Sequence, residues 1–199
     1  MSYNIRLEGK NKVEAEDLLV EISLLLEQHH IQYYLEGGTL LGILRENRLL
    51  PWDGDLDLSI MSNQLENIDS FLSSLKQHAY RTRCRFMEED NLVFKKNSLR
   101  IIKIRKKRFF GLIKSKVCLE IFVKYEIADK LYWKIGNKTV CDPKGFYDGR
   151  RTINFLNKSL PIPMGSEAYL TRKYGDWKVP VKIWNAMEDD ASVVDHIDI

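Results

Sequence analysis

Asp53, Asp55 and Asp57 alternate through the run Pro51-Trp52-Asp53-Gly54-Asp55-Leu56-Asp57-Leu58. In an extended strand alternate side chains share a face, about 7 Å apart. Three carboxylates on one face repel one another unless cations neutralise them. Asp is a poor strand former, and Leu56, Leu58 and Ile60 give the opposite face the apolar character of a core contact. A solvated strand face would show the same charge alternation. Hard divalent cations with oxygen ligands, Mg2+ or Mn2+, supply a stronger reason for it. Two such ions about 3.5–4 Å apart serve in-line displacement at phosphorus. Gly37-Gly38-Thr39 lies fifteen residues before Asp53. Two glycines between a strand and a helix let backbone N–H groups approach an anion at the helix N-terminus, though a plain tight turn uses the same pair. Taken with the aspartates, the order is a phosphate-cradling turn, one short helix, then metal-binding carboxylates.

The elements that must position these groups can be read from periodicity. Leu18, Ile22, Leu25 and His29, with Leu19 and Leu26 beside them, predict a helix over residues 10–30. Gln32 to Glu36 reads as a short extended run, and Thr39 as the N-cap of a helix carrying Leu40, Leu41, Ile43 and Leu44. Residues 55–60 predict a half-buried strand, and Ser62 caps a second amphipathic helix through about His78. Strands are expected at 80–86, 91–95, 99–106, 116–124 and 130–135, with turns near Phe110-Gly111 and at Gly136-Asn137. The last third, with Pro143, Gly145, Gly149, Pro161 and Pro163, reads as loop until a helix from Ser166 to Tyr174 ends at Gly175. The acidic stretch 185–199 reads as a frayed, flexible tail. The expectation is a single α+β domain over 1–199, with its core at about 15–182.

Composition narrows the class. At 199 residues, 44% apolar and 30% charged, the chain is an ordinary globular sequence able to bury a core without staples. A net charge of +3 gives no reason to expect nucleic acid as a partner. Cys84, Cys118 and Cys141 are odd in number and lack C-x-x-C spacing, as free thiols of a reducing compartment do. The first residues hold no apolar h-region and no run approaches 18 apolar residues. A cytoplasmic location is therefore expected, with peripheral contact at the inner membrane surface as a further reading.

The block Gly37-Gly38-Thr39-Leu40-Leu41-Gly42-Ile43-Leu44-Arg45, followed by Leu50-Pro51-Trp52-Asp53-Gly54-Asp55-Leu56-Asp57, resembles the signature of the LicD family in the nucleotidyltransferase-fold superfamily. Pro161-Ile162-Pro163-Met164-Gly165, Tyr169-Leu170, Tyr174-Gly175-Asp176-Trp177 and Pro180 are similar to that family's closing segment. The resemblance implies a nucleotidyltransferase-like fold, a mixed β-sheet with flanking helices, and a third carboxylate on a later strand. Here that position matches Glu120, one methylene longer than the Asp more common in the family. Gly54 stands where the family often has Asp, and strand alternation would turn it away from Asp53 and Asp55.

By that resemblance, Asp55, Asp57 and Glu120 are the expected metal ligands for Mg2+ or Mn2+, two ions in all. Asp53 reads as a supporting group behind them or as a surface residue. Arg45 is expected either at a donor phosphate or in an ion pair with Asp53, with Arg48 a weaker candidate. Gly37, Gly38 and Thr39 would cradle substrate, and Trp52 would wall the site. The implied activity is metal-dependent transfer of a phospho-alcohol, phosphocholine or a polyol phosphate, from a CDP-linked donor to the hydroxyl of a glycan or glycolipid acceptor. The alternatives are a nucleotidyltransferase using an NTP donor and a non-catalytic binding module of the same fold. A second charged feature stands apart from this site. Ten basic residues and no acid fall between Lys95 and Lys116, which suits either exposed strands guarded against pairing or a surface for an anionic partner. With Phe109, Phe110, Leu112 and Ile113 at the tip, an anionic membrane is one such partner.

Overall fold

A computed structural model of the chain describes residues 5–108, 113–185 and 188–194. Helix α1 (Lys10–Gln28) buries Leu18, Leu19, Ile22, Leu25 and Leu26, as the spacing predicts. Strand β1 (Tyr34–Leu35) runs directly into α2 (Gly37–Glu46), and β2 (Leu56–Met61) follows. A 3-10 turn over Ser62–Asn67 leads to α3 (Ile68–Gln77). The middle of the chain is β3 (Tyr80–Phe86), β4 (Leu99–Arg108), β5 (Ile113–Lys114), β6 (Leu119–Ile127), β7 (Lys130–Ile135) and β8 (Lys138–Pro143). A short turn over Lys144–Tyr147 precedes the hairpin β9 (Arg150–Phe155) and β10 (Lys158–Pro163), then α4 (Ser166–Tyr174) and β11 (Val193–Val194).

The sheet is mixed and its helices flank it, the expected α+β class. Strand β6 is its hub. It runs parallel to β2 and antiparallel to β4 over its first half, then antiparallel to β7 over its second. Strand β3 lies outside β4, β1 outside β2, and β8 with β11 beyond β7. One hydrophobic cluster joins Leu18, Ile22 and Leu26 of α1 and Phe71 and Leu75 of α3 to Leu58 and Ile60 of β2, Ile121 and Val123 of β6, and Ile102 and Ile104 of β4. Each such side chain contributes about 1.5–3 kcal/mol on full burial. With these alternate residues turned to the helices, the intervening positions face the other way, and those positions carry the charge.

Several local expectations are corrected. Residues 91–95 form a turn, because Asn91 Oδ1 accepts the N–H groups of Val93 and Phe94 and Asp90 Oδ1 accepts that of Lys96. Such side-chain bonds compete with strand pairing. Ser62 opens a 3-10 turn and makes no capping bond; the α-helix begins only at Ile68. The expected strand at 116–124 lies three residues later. The proline-rich last third holds the β9–β10 hairpin, turned at Leu156 and Asn157, both at positive φ. Pro161 and Pro163 are tolerated because β10 pairs on one side only. The tail between 188 and 194 is tied down rather than frayed: β11 pairs with β8, and buried Asp190 meets the Lys173 ammonium. No helix among the described residues is long and apolar enough to cross a membrane.

Candidate functional site

Sheet register brings three charged residues into one row. Asp57 of β2 lies opposite Glu120 of β6, and Glu120 opposite Lys103 of β4. Neighbouring strands are about 4.8 Å apart, so these side chains stand side by side. The row borders a cleft of about 1160 Å³, which also takes in Asp53, Asp55, Gly37 and Gly38. Glu120 is 6% exposed and ion-pairs with the Lys103 ammonium. Asp53 and Asp55 reach the cleft by a different route from the one expected. Strand β2 starts only at Leu56; before it, Asp53 N–H bonds Leu50 O in a turn, and Asp53 Oδ1 accepts the Gly54 N–H at 2.9 Å. Gly54 borders the cleft too, since the pleat that would turn it away has not begun.

The Gly-Gly turn packs against these aspartates. Gly37 has φ +51° and opens α2. A Cβ on Gly37 would lie 2.7 Å from Asp57 Oδ2, and one on Gly38 2.0 Å from Asp53 Oδ2. Only glycine lets the carboxylates approach the first turn of α2 so closely. The N-cap position is Glu36, not Thr39. Thr39 lies inside the helix, where its Oγ1 accepts the Asp57 N–H at 2.9 Å. Glu36 N–H bonds Asp57 O at 3.0 Å. The helix start and β2 are thus stitched together at Asp57.

Proton affinities follow the crowding. Burial, opposed by the Gly54 N–H, raises Asp53 to about 6. Burial raises Asp55 well above the usual range, with the charges of Asp53 and Glu120 adding to it. Asp57 is raised likewise, by burial and then by Asp55, Asp53, Glu120 and Glu36. Among the described residues, no three His, Cys, Asp or Glu side chains already converge as a metal cage. The donor set is open: crowded, mutually repelling oxygens beside a helix N-terminus. That fits a hard cation such as Mg2+, which takes one or two carboxylates and fills its remaining positions with water and substrate phosphate oxygens.

The remaining candidates are also placed. Arg45 is held by Glu46 Oε1 through Nε (2.8 Å) and Nη2 (2.6 Å), and by Trp177 O through Nη1 (2.9 Å). Its guanidinium therefore clamps α2 to the segment after α4 while bordering the cleft, and its ion pair is with Glu46 rather than Asp53. Arg48 pairs with Glu46 on a separate, shallower surface. Trp52 packs on the core and walls the cleft. In the basic stretch, Lys103, Lys106 and Arg108 pair with Glu120, Glu21 and Glu14, and Arg105 donates to carbonyls of Ser115 and Lys116. Strand β4 is flanked by β3 and β6, so its lysines do not guard an edge. Ile113 is exposed; Phe109, Phe110 and Leu112 lie outside the described residues.

A buried polar network behind the Gly-Gly turn escaped the sequence reading. Glu36 Oε2 meets Lys124 Nζ at 2.9 Å and the Tyr147 hydroxyl at 3.1 Å, while the Tyr169 hydroxyl donates to Glu36 Oε1. Tyr169 Oη also accepts the Gly37 N–H at 3.3 Å. Lys124 is fully buried, its ammonium 3.8 Å from the Trp133 ring centroid. Burial would raise Glu36, but the Lys124 charge and the bonds from Tyr169 and Lys124 leave it below the usual range. The available signal was a charge in an apolar setting: Glu36 after Tyr33-Tyr34-Leu35, and Lys124 after Ile121-Phe122-Val123.

The family model described as "LicD/FKTN/FKRP, nucleotidyltransferase domain" matches residues 30–164. Ribitol-5-phosphate transferase FKTN of Mus musculus is 27% identical over 176 residues, 86% of this chain and 34% of that protein. An uncharacterised protein of Rickettsia prowazekii is 25% identical over 177 residues, 86% of this chain and 58% of that one. Lipopolysaccharide cholinephosphotransferase LicD of Haemophilus influenzae is 33% identical over 55 residues, 27% of this chain and 21% of that one. The chain thus spans between about a third and three fifths of the relatives it matches at length. A solved structure of ANT(2")-Ia with adenylyl-2"-tobramycin has 12% identity and a TM-score of 0.47, covering 86% of this chain and 81% of that one.

Proposed function

The chain belongs to the LicD/FKTN/FKRP family, and from that premise we propose that it transfers a phospho-alcohol from a CDP-linked donor to a glycan or glycolipid hydroxyl. The observation that carries this reading is the meeting of Asp53, Asp55, Asp57 and Glu120 with the glycine-built start of α2 in one cleft. The named activities of the relatives agree with it: ribitol-5-phosphate transfer for FKTN and cholinephosphotransfer for LicD.

In this reading the N-terminus of α2, through amides beyond that of Gly37, which Tyr169 Oη holds, faces donor phosphate oxygens, where the helix dipole favours negative charge. Asp55 and Asp57, with Glu120 beside them, would hold one or two Mg2+ or Mn2+ ions. When bound, such cations neutralise a diphosphate and lower the pKa of an attacking hydroxyl. Thr39 fixes the backbone of Asp57, and Lys103 holds Glu120 against the row. Trp52 and the segment Arg45 anchors through Trp177 narrow the cleft around the substrate. The protein's contribution is positioning and charge neutralisation.

Incubating the protein with CDP-choline or CDP-ribitol, Mg2+ and a panel of glycan acceptors, followed by 31P NMR, tests the reading. Release of CMP supports it. Pyrophosphate released from an NTP instead would make the protein a nucleotidyltransferase. No Mg2+-dependent turnover of any donor would make it a binding module.

A further inference from the structure

The fold divides the basic stretch between two faces of the sheet. Residues directly opposite on antiparallel strands share a face. Lys106 lies opposite Tyr80, and both side chains meet Glu21 of α1, while Arg108 meets Glu14. Those positions of β4 are on the face that the helices cover. The other face carries three pairs of like charge: Arg81 of β3 opposite Arg105 of β4, Arg83 opposite Lys103, and Lys107 opposite Lys114 of β5. Glu120 offsets Lys103, and Arg105 keeps its charge while donating to the Ser115 and Lys116 carbonyls. Among the described residues, Arg81, Arg83, Lys107 and Lys114 have no carboxylate in ion-pair contact.

Like charges directly opposite one another destabilise a sheet, so this face calls for an anionic partner. Arg81, Lys107 and Lys114 are exposed, and Arg83 and Arg105 half-buried. Strand β3 pairs with β4 alone, and an open edge is guarded by charge of either sign. Guarding does not explain why one sign continues across β4 and β5. Nor do these cations converge on a point, as a pocket for one small anion would require. They stand about 4.8 Å apart across the strands and about 7 Å apart along them. Cations spread over a plane match anions spread over a plane, and a bilayer of anionic headgroups presents such an array.

We propose that Arg81, Arg83, Arg105, Lys107 and Lys114 seat this face of the sheet on an anionic lipid surface. Each cation near such a surface strengthens binding about fivefold. The face runs into the candidate site, because Arg83, Lys103, Glu120 and Asp57 form one row across four strands. Docking therefore holds the carboxylate row beside the lipid surface, where a glycolipid acceptor lies. Only that last consequence rests on the transfer reaction; the lipid surface itself does not.

Co-sedimentation with vesicles, without Mg2+ or any donor, tests the surface independently of turnover. The protein should bind vesicles of equal parts phosphatidylcholine and phosphatidylglycerol, not phosphatidylcholine alone, and about 0.5 M NaCl should release it. Arg81→Gln, Arg83→Gln and Lys107→Gln combined should weaken binding about a hundredfold, with the melting temperature monitored to confirm folding. Lys10→Gln, Lys12→Gln and Lys76→Gln combined remove the same charge from α1 and α3 and should weaken it less than about threefold. If the first triple variant fails to fold, Lys107→Gln with Lys114→Gln should still weaken binding about twentyfold. Absent binding to the anionic vesicles, or equal weakening in the two triple variants, overturns the proposal. Tighter binding to single-stranded RNA than to vesicles at matched phosphate concentration overturns the lipid assignment. Lipid binding that follows the sheet face in a protein without turnover supports the surface and leaves only the transfer reading to fall.

Discussion

Each carboxylate of the cleft is shaped by its nearest neighbours. Asp57 is fixed at its backbone by Thr39 Oγ1 and by Glu36, and crowded at its side chain by Asp55 and Asp53. The raised affinities carry a sign. Asp53 moves from 3.8 to about 6, and Asp55 and Asp57 shift the same way. The folded, metal-free protein therefore holds these protons more tightly than the unfolded chain, and loses stability as pH rises above about 4, through about 6 for Asp53 and through the raised affinities of Asp55 and Asp57. Asp57→Asn removes part of that repulsion. In EDTA near neutral pH it should melt a few degrees above the wild type, with the gap closing toward pH 4. Its turnover should fall by about a hundredfold or more. Equal melting at both pH values would show that the carboxylates do not strain one another. Gly38→Ala places a methyl on Asp53 Oδ2 and should destabilise the fold, whereas Gly38→Ala combined with Asp53→Ala should recover most of the loss. Additive losses in that double-mutant cycle would refute the contact.

At the scale of elements, the network on Glu36 ties β1 and α2 to β6, the turn before β9, and α4. Lys124→Met leaves a buried carboxylate unpaired and should cost about 3–5 kcal/mol in urea unfolding, while Glu36→Gln with Lys124→Met should cost less than either single change. Tyr169→Phe removes the hydroxyl shared by Glu36 and Gly37; it should cost about 1–3 kcal/mol. A neutral Tyr169→Phe would mean that α4 does not hold the Gly-Gly turn. These elements also show what was legible. Apolar spacing alone located α1, and the polar–apolar alternation of β2 foretold which of its faces meets the helices. Glycine at 37 and 38 marks a close approach in the sequence, read there as that of a phosphate; in the structure the groups that approach are the Asp57 and Asp53 carboxylates. The 91–95 turn was missed because its cause is side-chain bonding by Asn91 and Asp90. The β9–β10 hairpin was missed because prolines, read as loop, sit in a strand that pairs on only one side.

For the whole molecule, the near-neutral charge conceals a separation. Acid collects around Asp53 to Asp57, base along β3 and β4, and sheet register lays one beside the other. Arg45 could not be resolved in sequence between substrate and structural roles, because its partners Glu46 and Trp177 come from one neighbouring and one distant position. Glu120 could be located only through the family resemblance, since nothing local announces that β6 will align it with Asp57. Under the proposed function the carboxylates, the first turn of α2 and a divalent cation act together on a CDP-linked donor. Calorimetric titration of CDP-choline and CDP-ribitol, with Mg2+ and with EDTA, into wild type and Asp57→Asn tests it most directly. The account predicts binding of at least one CDP-linked compound that requires Mg2+ and is lost in Asp57→Asn. Binding of equal strength in EDTA, or retained in Asp57→Asn, would contradict it.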